Sequence, residues 1–200
     1  MSKFRNKYRN ESARAQWWNY NSDAAYFITI CTSERACILG EISDNQMHQS
    51  KIGKIVNQEW NLSFDLRKEL FCDVFIIMPN HIHAILRIEN KIDESGTHGL
   101  VVVGTHGRAS LQQPNPPTNT GIAYRSPKSI SSFVAGFKSS ATKRINEFRK
   151  TPKKPVWQPR FHDRIIRNEK EYNRIYNYIE NNVAKWDQDK FYEKGDLTTN

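Results

Sequence analysis

From Ala25 the run AYFITICT (25–32) concentrates β-branched and aromatic side chains and predicts a strand. ACILGEI (36–42) reads as a second short strand or a turn-rich extension. Between Asp44 and Leu70, Ile52, Ile55, Val56, Trp60 and Phe64 return at the three-to-four spacing of one helix face, so an amphipathic helix is expected there. DVFIIM (73–78) is continuously apolar, the pattern of a central strand covered on both faces. After Pro79-Asn80, HIHAILRIE (81–89) alternates. Ile82, Ala84, Leu86 and Ile88 share one face, and His81, His83, Ile85 and Arg87 share the other.

Residues 90–128 carry no sustained period and are punctuated by Gly and Pro, which predicts a long flexible loop. GTHG occurs twice within it, at 96–99 and 104–107, too few copies for a repeat architecture. A second amphipathic helix is expected over 126–148, started by Ser126-Pro127, and then a strand near 161–167. Asn168 with Glu171 three positions later resembles an N-cap and its reciprocal partner, opening a last helix that runs to about Trp186. The order strand, helix, strand, strand, helix, strand, helix matches an α+β fold. It is the ferredoxin-like split β-α-β antiparallel sheet with helices on one face, plus an extra C-terminal helix. The second sheet face is expected to be open for a site. The organisation reads as a basic N-terminal arm (1–22), one domain (23–186) and a polar tail (187–200).

Composition narrows the partners. The 200 residues carry 30 Lys+Arg against 21 Asp+Glu, a formal charge of +9, which favours a polyanionic partner. Ten basic residues fall between Lys138 and Arg167 (Lys138, Lys143, Arg144, Arg149, Lys150, Lys153, Lys154, Arg160, Arg164, Arg167), opposed only by Glu147 and Asp163. This stretch is a candidate phosphate-contacting surface, with Trp157, Phe161 and His162 placed to stack on unpaired bases. The plainer alternative is a solvated helix face plus core aromatics. No apolar run has the length of a membrane span, and the N-terminus lacks the apolar stretch of a signal peptide. Three cysteines (Cys31, Cys37, Cys72) without metal-like spacing read as buried thiols of a reducing cytoplasm.

His81 and His83 lie one residue apart on the same strand face, where two imidazoles can aim at one divalent ion. Alone, a bare His-x-His favours the plainer reading, a pair of surface or core-edge histidines; its place at the start of a strand after Met78-Pro79-Asn80 adds weight to the metal reading. On the last helix Tyr172, Ile175, Tyr176, Ile179 and Val183 form the apolar stripe, which leaves Tyr178 off it on a face with Arg174 and Asn182. A tyrosine on the polar face is a candidate for chemistry, and Asn182 could supply an oxygen ligand.

MPNHIHAIL (78–86), VWQPRFHDRIIRNEKEY (156–172) and YIENNVAKW (178–186) resemble the single-tyrosine HUH transposase superfamily, most nearly the REP-associated tyrosine transposases and relatives from the smallest bacterial insertion sequences. AYFITICT also looks like that family's first strand, so the resemblance spans most of 23–186 outside the 90–128 loop. It implies His81 and His83 as the metal pair, Tyr178 as nucleophile and Asn182 as third ligand. Many relatives place proline after this asparagine, whereas Val183 stands here and lets the helix continue. The implied activity is Mg²⁺- or Mn²⁺-dependent cleavage and joining of single-stranded DNA near hairpins through a 5′-phosphotyrosine, without ATP, in a bacterial, nucleoid-associated setting. Some relatives are dimers in which one subunit's tyrosine serves the other's histidines, and others are monomers, so a homodimer stays open. Three other readings remain: a domesticated non-mobilising DNA-binding protein, a replication-initiator-like nickase, and a metal-dependent hydrolase of small phosphoesters.

Overall fold

The computed structural model describes residues 23–89 and 128–192, together with the backbone of a short N-terminal ribbon, β1 (Lys3–Phe4) antiparallel to β2 (Lys7–Tyr8). The rest of the expected basic arm, the 90–127 stretch with both GTHG copies, and residues 193–200 of the polar tail lie outside the described residues. The elements that follow are β3 (Ala24–Cys31), β4 (Gly40–Ser43), β5 (Gln46–Gln49), α1 (Lys51–Asp65), β6 (Leu70–Ile77), β7 (His81–Ile88), α2 (Ile130–Arg149), β8 (His162–Ile166) and α3 (Glu169–Glu180). Four strands form one sheet in the order β6-β7-β3-β8, every pair antiparallel. That is the split β-α-β arrangement read from the pattern, with α1 and α2 as its two crossovers.

The even positions of β7 (Ile82, Ala84, Leu86, Ile88) and of β3 (Tyr26, Ile28, Ile30) are buried on the same face, against α1 and α2. Trp60 is the hub. Its indole stacks on Phe75 (centroids 4.3 Å apart, planes within 9°) and takes the edges of Phe133 and Phe137 at 5.3 and 5.1 Å. Offset and edge contacts of this kind contribute about 0.5–1.5 kcal/mol each beyond area burial. Each helix starts on a side-chain cap: Ser50 accepts from the Gly53 N–H, Ser129 from Ser132 and Asn168 from Glu171. Glu171 in turn accepts from the Arg167 N–H, close to the reciprocal partnership expected of it.

Four expectations are corrected. The 44–50 segment is not helical: Asp44 and Asn45 both have positive φ (50° and 55°), make a two-residue turn between β4 and β5, and delay α1 to Lys51. DVFIIM is covered on both faces but lies in the edge strand β6, since Phe75 and Ile77 join one core and Val74 and Ile76 the other. A continuous apolar run records coverage by layers, not position in the sheet. The second sheet face is not open: Ile175 and Ile179 of α3 pack on Val74 and Ile85, with Phe27, Ile76, Tyr172 and Tyr176 around them. Finally, α3 ends at Glu180 rather than near Trp186, and a 3₁₀ segment continues over Val183–Gln188. At that junction the Asn181 side chain donates to the Asn177 carbonyl, and the Asn182 N–H bonds three residues back to Ile179.

Candidate active site

β7 is central, so its odd positions face the layer formed by α3 and the 3₁₀ segment, and both His81 and His83 are fully buried there. Their ring centroids are 4.4 Å apart. The Met-Pro-Asn lead-in determines how His81 is presented. The Asn80 amide nitrogen donates to the Phe191 carbonyl at 2.8 Å, which turns its oxygen to His81 Nδ1, also at 2.8 Å. An amide oxygen only accepts, so Nδ1 carries the ring proton and Nε2 is left as the lone-pair nitrogen. His83 is oriented across the sheet: Thr29 is its register partner in β3, and Thr29 Oγ1 lies 2.8 Å from His83 Nδ1. Nε2 of His83 then faces the last helix.

α3 brings Tyr178 to that nitrogen. The capped start at Asn168 and the buried Ile175 and Ile179 fix the rotation of the helix, leaving Tyr178 off the apolar stripe and half-exposed over the central strands β7 and β3. Its hydroxyl lies 3.1 Å from His83 Nε2 and donates to Asp189 Oδ2 at 2.9 Å, while Phe27 meets its ring edge-on at 6.2 Å. One turn on, Asn182 is buried and donates from Nδ2 to the same carboxylate oxygen at 2.8 Å. The second oxygen of Asp189 accepts from the Phe191 N–H at 2.7 Å, and the Phe191 ring lies 4.6 Å from that of His81.

Two buried polar atoms in this cluster have no partner: His81 Nε2 and Asn182 Oδ1. Leaving such atoms unsatisfied costs about 1–3 kcal/mol each, which a ligand reaching either would recover. His81, His83 and Asp189 also each offer a ligand atom, all within 4.8 Å of one another. Two imidazoles, an amide oxygen and a carboxylate fit a divalent cation.

Electrostatics keep the groups in the form a ligand set needs. Burial pushes both imidazoles below their ordinary pKa of 6.5, opposed at His81 by Asp189 and reinforced at His83 by His81 and Lys190. They are therefore neutral lone-pair donors at pH 7. Burial, with the hydrogen bond to Asp189 and its negative charge, raises the Tyr178 phenol well above 10. The hydroxyl holds its proton across the neutral range.

Asp189 is the member that sequence reasoning missed. It lies in what read as a polar tail, and only the 3₁₀ turn, not any spacing, carries it back to the histidines.

The candidate DNA contacts divide. Lys138 Nζ donates to the carbonyls of Gln158 and Arg160, both at 2.8 Å, and burial lowers its pKa to about 8. It pins the segment leading into β8 from a partly buried position. Trp157 is buried with its ring 5.7 Å from Phe137, so the stacking expected of it is replaced by core packing. Arg144 pairs with Glu59 and Arg164 with Glu171, and Arg149 is only partly exposed. Lys143, Lys153, Lys154, Arg160 and Arg167 are exposed. No helix among the described residues is long and apolar enough to cross a membrane.

No family model matches the chain. An uncharacterized protein of Haemophilus influenzae is 34% identical over 185 residues, covering 92% of this chain and 94% of that protein. Among solved structures, a REP-associated tyrosine transposase bound to a REP hairpin superposes with a TM-score of 0.54 at 17% identity, over 88% of this chain and 77% of the other.

Proposed function

From a chain that belongs to one family with the uncharacterized Haemophilus influenzae protein, and has the fold of a REP-associated tyrosine transposase, we propose a cation-dependent DNA strand transferase with Tyr178 as nucleophile. One observation carries this reading: within a single chain, the Tyr178 hydroxyl rests 3.1 Å from His83 Nε2, beside a buried cluster with two unpartnered donor atoms. Packing alone does not call for two buried imidazoles, a carboxylate and a half-exposed phenol on one sheet face.

His81 Nε2, His83 Nε2 and Asn182 Oδ1 would hold a divalent cation, Mg²⁺ or Mn²⁺, with Asp189 beside them. When bound, it supplies positive charge against the scissile phosphate and the developing phenolate. Tyr178 Oη attacks phosphorus in line as its proton passes to water. The P–O3′ bond breaks, its electron pair leaves with O3′, and that oxygen takes a proton to become a free 3′-hydroxyl. The phosphate stays on the 5′ end of the downstream strand as a phosphotyrosine. Because the phosphodiester is exchanged rather than hydrolysed, a second 3′-hydroxyl can reverse the step and join strands without ATP. The substrate of the proposal is single-stranded DNA next to a hairpin; the structurally similar transposase is bound to a REP hairpin.

Incubation with single-stranded hairpin DNA and Mn²⁺ tests this on a denaturing gel. A protein–DNA adduct is expected with the wild type and none with Tyr178→Phe or with chelator. DNA binding with no adduct under any divalent ion would instead identify a non-catalytic binding protein.

A further inference from the structure

The carboxylate of Asp189 stands between the nucleophile and the amide ligand. Oδ2 accepts from both Tyr178 Oη (2.9 Å) and Asn182 Nδ2 (2.8 Å), and Oδ1 accepts from the Phe191 N–H (2.7 Å). We propose that Asp189 is a positioning residue that dictates which end of the Asn182 amide faces the histidine pair, and so makes Asn182 an oxygen ligand. The proposal rests on the cation-site reading of His81 and His83 given above.

The reason is donor–acceptor chemistry. A primary amide has one end that donates and one that accepts, and its own shape scarcely distinguishes them. An ionised carboxylate only accepts, so it can face only the NH₂ end. With Nδ2 held on Asp189, Oδ1 is the end left buried without a partner, as is His81 Nε2. Asn80 does the same for His81 from the opposite side: the Phe191 carbonyl fixes its amide, and its oxygen fixes the imidazole tautomer. Both unpartnered donor atoms are thus set by contacts to the short segment Asp189–Phe191. That segment is itself held by the Phe191 N–H donating to the Asp189 carboxylate and by the burial of the Phe191 ring. Asp189 also lies within ligand distance of the histidines. Its two oxygens already receive three hydrogen bonds, however, whereas the Asn182 oxygen receives none.

Mn²⁺ binding to the full-length chain without DNA, read by the loss of the free-ion electron paramagnetic resonance signal, separates these roles. Outer-shell partners of this kind change metal affinity by about 10–100-fold. Asp189→Ala is expected to weaken Mn²⁺ binding within that range. The same-sized Asp189→Asn, which can face either end of the amide, should weaken it as well. Asn182→Ala should weaken it comparably, and adding Asp189→Ala to Asn182→Ala should cost less than about threefold more, because the two act through one contact. A full, additive loss in the Asn182→Ala background would overturn the proposal, since Asp189 would then act as a ligand or a bare charge. Unchanged affinity in both Asp189 variants, with binding abolished by His81→Ala, would overturn it while leaving the cation site standing. Mn²⁺ binding that persists in a His81→Ala/His83→Ala chain would remove both.

Discussion

Burying two neutral imidazoles side by side has a measurable consequence at the scale of single residues. Both histidines are held below the ordinary value of 6.5 by burial. As pH falls through about 6.5, the unfolded chain takes up protons that the folded chain refuses. The unfolded state then binds more protons, so stability declines with acidification and is regained as pH rises. The melting temperature of the wild type should therefore drop between pH 7 and 5. His81→Ala/His83→Ala should show a flatter pH dependence, whatever its absolute stability. An equal slope in both proteins would show that other groups dominate. Tyr178 has the opposite sense: its raised pKa keeps it neutral across this range, so it contributes nothing to that slope.

Among the elements, α3 decides whether the site exists. It carries Tyr178 and leads directly into Asn182, and it is anchored by Ile175 and Ile179 on the sheet and by the Tyr172 hydroxyl donating to Asp73. Burial and that carboxylate push the Tyr172 phenol up to about 12, so it remains a donor. Ile179→Ala should cost about 2–4 kcal/mol in urea unfolding, the range for buried large-to-small changes. It should also reduce adduct formation out of proportion to DNA binding. Asn168→Ala should cost about 1 kcal/mol through the lost cap, with less effect on the adduct. Comparable losses of adduct and binding would show that the helix positions DNA and not the phenol. The stripe of α3 and the alternation of β7 were legible because period and face are local properties. The end of α3 was not: it depends on Asn181 turning its amide onto the Asn177 carbonyl, and on the 3₁₀ bond that follows, neither of which the apolar pattern encodes. Of the β4–β5 hairpin, the ACILGEI reading reached part of β4, and β5 escaped for a related reason. Asp44-Asn45 is a turn signal for a two-residue loop, but its strands are only four residues each and largely polar.

For the molecule as a whole, topology brings together what is far apart in the chain. The split β-α-β order was readable, and with it the central place of β7, but coverage of the second sheet face by α3 was not. Nothing in an amphipathic pattern says which sheet face a terminal helix will choose. Charge divides in the same way. Sequence gathers ten basic residues between Lys138 and Arg167, and folding commits Lys138 to carbonyls and pairs Arg144 and Arg164 with acids. Lys153 and Lys154 remain exposed at the turn after α2. If they contact phosphates, Lys153→Ala/Lys154→Ala should lower the magnitude of the salt-dependence slope for single-stranded DNA by about 0.7 per residue. An unchanged slope would place the DNA elsewhere. The position of the covalent bond itself distinguishes a nucleophilic Tyr178 from a packing one. Tryptic digestion of the adduct formed on hairpin DNA with Mn²⁺, followed by mass spectrometry, should find the nucleotide on peptide Ile175–Lys185. Fragmentation should place it on Tyr178, linked through a 5′-phosphate, with a free 3′-hydroxyl on the released strand. Linkage at Tyr176 or Tyr172, or a 3′-phosphate link, would contradict the account.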